Sequence, residues 1–522
     1  MSASFTRIAA IVRADFLIRF RRLSTVIVFL LLSAFAYVWI PDPSTGRTLI
    51  QINGQRAIYN SGAIGLGTAS LGMIFVGLFG FYVISNAIRR DVVTRCGLVV
   101  ASTPMRSGEY LFGKFLGNVV FLTVFIAGFM LSSMAMLLVR GEARIEPGIF
   151  LVQYFLLTPA TIVFVSAVAV LFESIPWLSG KLGDVLYFFF WIAAVGLVIA
   201  NEANQGGISW VHYLDFTGFG FMINQMTRTL HTTSVAIGAS PFDPGKPTII
   251  FPGLTMTGDW ILSRLVSTFT ALLLLPVAAF YFHRFDPVRT KQTSEKSRRN
   301  WLGRLQNLFK PLSRRVAAVL RIRRGGGSLG AACWNDTVLT LTLHPLVLVA
   351  FVAITIASGF VPPAKLLPIV FALLALVISD VATRDARANT LASLRAMPRL
   401  REDFVWWKFG STLLLGLALC VAPLARAASL GVVPACALLG GIVFVAALAT
   451  SLGCLTVNSK TFIVIFLSFW YLVVNDRGAH PALDFAGFYG SGGGRTIALY
   501  AALSVAALAV TEGLYRMRLA RA

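Results

Sequence analysis

The chain has 522 residues, 57% of them hydrophobic and 13% charged, with a formal net charge of +23 and a mean hydropathy of +0.78. That balance excludes a soluble globule. The charges cluster between apolar runs of about 17 to 26 residues, each long enough to cross a hydrocarbon core as a helix, so the sequence reads as an all-α polytopic membrane protein.

A large positive charge can mark a nucleic-acid binder. Topology gives a simpler account here: twelve spans with both termini cytoplasmic leave about 34 of the 45 Lys and Arg on the inner face, the asymmetry expected of short inner loops. No nucleic-acid partner is expected. The five Cys (96, 333, 420, 436, 454) form no CxxC, which argues against a disulfide framework or a metal site.

Residues 4–22 place Phe5, Ile8, Ile11, Val12, Phe16 and Phe20 roughly on one helical face and Arg7, Arg13, Arg19, Arg21 and Arg22 around the rest. This predicts a helix lying in the cytoplasmic interface, apolar side down. Span 1 follows at about 24–40, closed by Pro41 and Pro43. A polar outer loop, 41–62, leads to span 2 at about 63–88.

Residues 89–114, RRDVVTRCGLVVASTPMRSGEYLFGK, form a charged segment between two apolar runs, and its basic residues place it on the cytoplasmic side. Spans 3, 4 and 5 are expected at about 114–139, 148–172 and 184–200. Residues 201–258 alternate Gly and polar residues with Trp210, Tyr213, Phe216, Phe219 and Phe221, a pattern expected of re-entrant or interfacial helices on the outer side. Span 6, about 260–282, closes a first half at residue 285.

The linker, 286–330, is strongly basic. Trp301, Leu305, Leu308, Leu312, Val316 and Val319 recur in it at helical spacing, which predicts a surface-bound amphipathic helix facing lipid headgroups. The second half, 331–522, repeats the plan in shortened form, with spans at about 345–361, 366–382, 409–424, 432–456, 461–475 and 496–515. Its own charged stretch is 383–408. At an offset of 294, Arg90-Asp91 falls on Arg384-Asp385, Pro104 on Pro398, and Lys114-Phe115 on Lys408-Phe409. These identities sit on charged and Pro positions rather than interchangeable apolar ones, so they read as a duplication. A second register agrees: Lys181 precedes Phe190-Trp191 as Lys460 precedes Phe469-Trp470. Two halves with six spans each are inserted the same way up, as a parallel repeat.

Gly108 to Lys114 fits GxxxxGK, but Phe115 stands where Ser or Thr would ligate Mg²⁺ and no strand precedes it, so it is not a nucleotide loop. The five His form no HExxH, and no GxSxG elbow occurs; no catalytic residue is expected. Glu173, Asp184, Asp380 and Glu512 fall near span ends, where structural roles are the simpler reading.

The order of a basic N-terminal helix, two spans, and then Arg90-Asp91, Thr94-Arg95, Gly97-Leu98, Ala101-Ser102-Thr103-Pro104 and Gly113-Lys114 into span 3 resembles the permease subunits of ABC-2-type transporters, here with two permease halves in one chain. The resemblance implies that each charged stretch is a coupling helix received by an ABC ATPase, with re-entrant helices between spans 5 and 6. ATP and Mg²⁺ would then sit on two separate nucleotide-binding domains, and this chain would hold no cofactor and no enzyme activity of its own. The residues it nominates for ATPase contact are Arg90, Asp91, Arg95, Pro104, Glu109, Arg384, Asp385, Arg387, Pro398 and Asp403. The second copy is degenerate, with Met397-Pro398 for Thr-Pro and Trp407 for Gly113. The expected function is export of an amphipathic or lipid-like substrate across a bacterial inner membrane, with membrane lipid and further periplasmic or membrane subunits as other partners. A secondary transporter without ATPase, or a membrane scaffold or assembly factor, are the alternatives.

Overall fold

With no water to satisfy backbone amides, apolar runs of membrane length fold as helices that close their own hydrogen bonds. The computed structural model describes residues 3–21, 23–204, 209–230, 235–283, 285, 328–343, 345–388, 390, 393–394, 396 and 402–520. Of the described residues, 77% are helical. Among the described residues eight helices are long and apolar enough to cross a membrane, or ten if two bent pairs each count as one span. The chain divides into two compact units, Met1–Thr293 and Ser294–Ala522. The linker helix expected over 301–319 and the Pro398 position lie outside the described residues.

In the first unit, α1 (Ala3–Phe20) and α2 (Leu23–Trp39) each pack on the long helix α7 (Ser107–Arg140). At 1.5 Å per residue α7 is about 51 Å long, more than a hydrocarbon core requires. Ile11 lies against Gly113, Asp15 against Gly117, Phe16 against Phe121, and Phe29 against Phe125. The buried side of α1 carries Asp15 and Arg19, 2% and 6% exposed, whereas Phe5, Ile18 and Phe20 remain outside. Charge pairing to α7, not the apolar stripe alone, fixes its orientation.

Span 2 is interrupted. Helix α3 (Ser61–Phe75) passes through a π turn, Val76–Gly80, into α4 (Phe81–Ile84). Tyr187 donates its hydroxyl to the Gly77 carbonyl freed there, and its ring stacks on Phe81 at 3.9 Å. The charged stretch folds as two short helices, α5 (Ala87–Val93) and α6 (Cys96–Ser102). After α7 come α8 (Pro147–Ser174) and α9 (Lys181–Asn204).

The 201–258 segment holds α10 (Trp210–Leu214), α11 (Phe219–Leu230) and a strand, β3 (Val235–Pro241). The strand was not expected. It pairs with β1 (Arg47–Ile52), which also pairs with β2 (Gln55–Arg56), giving an antiparallel sheet of order β2-β1-β3. The 41–62 loop is therefore a hairpin turning at Asn53-Gly54, with Leu49, Ile50 and Ile52 buried beneath it. Arg56 and the Tyr59 amide bind the Glu142 carboxylate; burial would raise its pKa, and the two together outweigh burial, leaving it lowered. Span 6 is α12 (Gly258–Leu272) and α13 (Leu274–Tyr281), parted where Pro276 removes the amide that would reach the Leu272 carbonyl.

The second unit contains α14 (Leu329–Leu343), α15 (Pro345–Phe360), α16 (Pro363–Ile378), the one-turn α17 (Arg384–Arg387), α18 (Phe404–Leu419), α19 (Val421–Leu430), α20 (Val432–Thr456), α21 (Ser459–Asp476) and α22 (Gly494–Ala520). Helices α14 and α15 meet at 92°, and α18 and α19 at 67°. Among the described residues this unit has no strand.

Candidate functional site: an ion cluster built once in each unit

A break at Ser85-Asn86 starts the charged stretch of the first unit, Asn86 taking a positive φ of 82°. The backbone amides of Asn86, Ala87, Ile88 and Arg89 donate to the Glu173 carboxylate of α8, an anion placed where the first amides of α5 have no helical partner. The structural role expected of Glu173 is thereby specified.

Under α5 lies a cluster of five charged side chains from three helices. Lys114 of α7 is 3% exposed and bonds Asp91 at 2.6 Å and Asp15 at 3.0 Å. Arg90 reaches Asp15 at 2.6 Å, Arg19 lies 3.9 Å from it, and the Tyr110 hydroxyl donates to Asp91 at 2.8 Å. Burial alone would raise the Asp15 carboxyl, but Lys114, Arg19 and Arg90 together outweigh burial and hold it below its ordinary range.

The second unit contains the same construction. Lys408 of α18 is fully buried and bonds Asp385 at 2.6 Å and Asp336 at 3.0 Å, and Arg384 reaches Asp336 at 3.2 Å. Lys114, Arg90 and Asp91 match Lys408, Arg384 and Asp385 at the offset of 294, but Asp15 matches Asp336 at 321. Helix α14 is thus the counterpart of α1, and it packs on α18 as α1 packs on α7. Arg19 corresponds to Thr340, whose hydroxyl accepts from Arg384 at 2.7 Å, so the second cluster has one cation fewer. Trp407, where the first copy has Gly113, donates its indole N–H to the Ala332 carbonyl at 3.0 Å and lies under Lys408, 3.8 Å from the ring centre. A stacked aromatic pair closes each site, Tyr110 on Phe282 at 5.5 Å and Phe404 on Tyr515 at 5.4 Å.

The nominated contact residues divide into two groups. Arg90, Asp91, Arg384 and Asp385 are 13–19% exposed and are engaged by the chain's own cluster, and Glu109 binds Arg7 at 2.9 Å and Ser4 at 2.7 Å. Charges carried this far from water are held by partners because a lone one is too costly. Arg95, Pro104 and Arg387 are exposed, Arg387 also bonding the Ser459 hydroxyl, and Asp403 is half-buried at the start of α18. Helix α6 presents Leu98 and Val99, 47% and 68% exposed, on its outer side, while Gly97, Val100 and Ala101 rest on Phe285 and the core beneath. In the second unit Leu394, the counterpart of Val100, packs on Phe404 and Tyr515.

At the opposite end of the helices a further duplication appears. Leu214-Asp215-Phe216-Thr217-Gly218-Phe219 and Leu483-Asp484-Phe485-Ala486-Gly487-Phe488 differ at one position. Each Asp is buried and accepts loop amides: Asp215 from Thr217 and Gly220, Asp484 from Tyr489, Ser491 and Gly492. Both Gly218 and Gly487 take a positive φ, 83° and 67°, as the turn requires. The offset here is 269, so a search at 294 cannot meet it.

Comparison with known proteins finds no matching family model, no matching curated protein and no matching solved structure.

Proposed function

We propose that this chain is the membrane-spanning permease of an ABC transporter, built as twelve spans in two parallel six-span halves with both termini cytoplasmic in a bacterial inner membrane. Two ATPase subunits on separate chains would drive it to export an amphipathic or lipid-like substrate. The observation that carries this reading is the ion cluster, made twice from corresponding residues, each time directly beneath a charged stretch. A solvated loop has no need of three or more ion pairs around a buried lysine; a lever does. The cluster ties the stretch to the terminal helix and to the start of a long span, so a push on α5 and α6 moves α7 with them. A motor can shift such an equilibrium only through a differential contact with its two states.

The contact surface on this reading is the exposed side of α6, Leu98 and Val99 flanked by Arg95, Pro104 and Arg106, an apolar pair with charged ends suited to a groove on the partner. Arg90, Asp91, Arg384 and Asp385 then hold the lever, while Arg95, Pro104 and Arg387 touch the motor.

Purification of the tagged chain from its native membrane tests this. A stoichiometric ATPase is expected, and L98D/V99D should remove it while leaving the chain folded. Consistent absence of an ATPase with the unaltered chain removes the permease reading and favours a scaffold.

A further inference from the structure

Arg140, the last residue of α7, and Arg426, within α19, bind corresponding carbonyls. Arg140 donates through Nη1 to the Tyr37 and Ile40 carbonyls at the end of α2, and Arg426 donates through Nη1 to the Ser358 and Val361 carbonyls at the end of α15. Tyr37 and Ile40 match Ser358 and Val361 at the same offset of 321 that relates Asp15 to Asp336.

What surrounds the two arginines differs. In the first unit the Arg140 guanidinium lies over the Tyr37 ring at 4.5 Å, and the pKa of the Asp42 carboxyl in the loop after α2 is lowered chiefly by its hydrogen bonds from Ser44, with Arg140 a smaller contribution. The β1–β2 hairpin and the first turns of α3 follow in the chain. The offset then drops from 321 to 294, so 27 residues of that region have no counterpart in the second unit. Pro363 stands at the position matching Asp42. Beside Arg426 the second unit has a cavity of about 300 Å³. Its lining is apolar, including Leu367, Pro423, Leu430, Leu438 and Phe488, with Arg426 as its one charged side chain. Among the described residues no carboxylate pairs with Arg426, and its Nε and Nη2 donors are not used by the two carbonyls.

We propose that this cavity binds a single-chain amphipathic anion, its alkyl chain against the apolar wall and its carboxylate or phosphate on the free edge of Arg426. A guanidinium edge is shaped to take such a group through two parallel hydrogen bonds. An apolar cavity with one oriented polar group, at the lower end of the roughly 300–1,000 Å³ range of ligand sites, suits a short alkyl chain. The anion supplies the negative charge that Asp42 carries in the first unit and that Pro363 lacks in the second. The site stands whether or not an ATPase drives the chain, because binding is claimed here and passage is not.

The test uses the full chain in phosphatidylcholine nanodiscs and a decyl phosphate bearing a photoactivatable diazirine, with labelled peptides mapped by mass spectrometry. Labelling is expected on 423–438 or 486–490. Unlabelled decyl phosphate or decanoate should compete, the better of the two identifying the headgroup, whereas decanol and inorganic phosphate should not. R426Q should reduce labelling roughly tenfold, the loss expected of a charge-assisted hydrogen bond. A427F, which fills the cavity and leaves the arginine, should reduce it similarly, and R140Q should leave it unchanged. Should R426Q fail to fold, A427F decides alone. Labelling unaltered by both variants, or competition by decanol or inorganic phosphate as strong as by decyl phosphate, overturns the proposal.

Discussion

A lysine buried among carboxylates is stable only while they balance it, and the two clusters differ in how well they tolerate its loss. Lys114→Met leaves Asp15 and Asp91 with Arg19 and Arg90, whereas Lys408→Met leaves Asp336 and Asp385 with Arg384 alone. Removing one partner of a buried pair costs about 3–5 kcal/mol. K408M should therefore lower the thermal midpoint in mild detergent more than K114M, and equal shifts would refute this account of the clusters. Asp15 adds a pH dependence with a definite sign. Its folded pKa lies below the ordinary value of 3.8, so its contribution is complete above that value and is lost as pH falls through the folded one. Melting curves of the unaltered chain and of Asp15→Asn should differ at pH 7 and draw together only below about pH 3.8. A difference that closes between pH 5 and 7 would contradict the lowered carboxyl.

Among the elements, the glycine turns give the sharpest contrast. An Ala in the left-handed region costs about 1–2 kcal/mol in backbone energy alone. At Gly218 the added Cβ would also stand 2.9 Å from Arg264 Nη1 and 3.0 Å from Leu157, while at Gly487 its nearest neighbour is the Ala437 methyl at 3.1 Å. G218A should therefore destabilise more than G487A, and it should speed amide exchange around Asp215, whose carbonyl accepts from Arg264. The charged stretches were legible in the sequence because Arg90-Asp91 and Lys114 recur without a gap. The α1 counterpart was not: α14 keeps Asp336 but has Ser328, Trp334, Thr340 and Thr342 at the places of Arg7, Arg13, Arg19 and Arg21. One conserved-type acid inside an apolar run gives no periodicity to read. Nor did the sheet declare itself, although Asn53-Gly54 after Leu49-Ile50-Gln51-Ile52 is a hairpin signal, because β3 comes from 235–241 and the pairing is non-local. The Leu-Asp-Phe turn was hidden by its offset, which the shortened outer loops had changed.

For the whole molecule, the decisive feature is that each cluster draws every partner described here from its own unit. Asp15, Arg19, Arg90, Asp91 and Lys114 all fall within Met1–Thr293, and Asp336, Arg384, Asp385 and Lys408 within Ser294–Ala522. Mutations without shared partners add to within about 0.3–0.5 kcal/mol. Denaturant titration of K114M, K408M and the double variant should therefore give additive losses of stability, the two units responding as separate folding problems. On the proposed permease function, ATPase-coupled transport should behave otherwise. If both levers are driven in one cycle, failure of either stops that cycle, and the double variant should transport no worse than the poorer single one. Additive stability with non-additive transport is the signature of two independently folded levers serving one motor stroke. Non-additive stability would mean that the clusters are coupled, and the picture of self-contained halves would have to be abandoned.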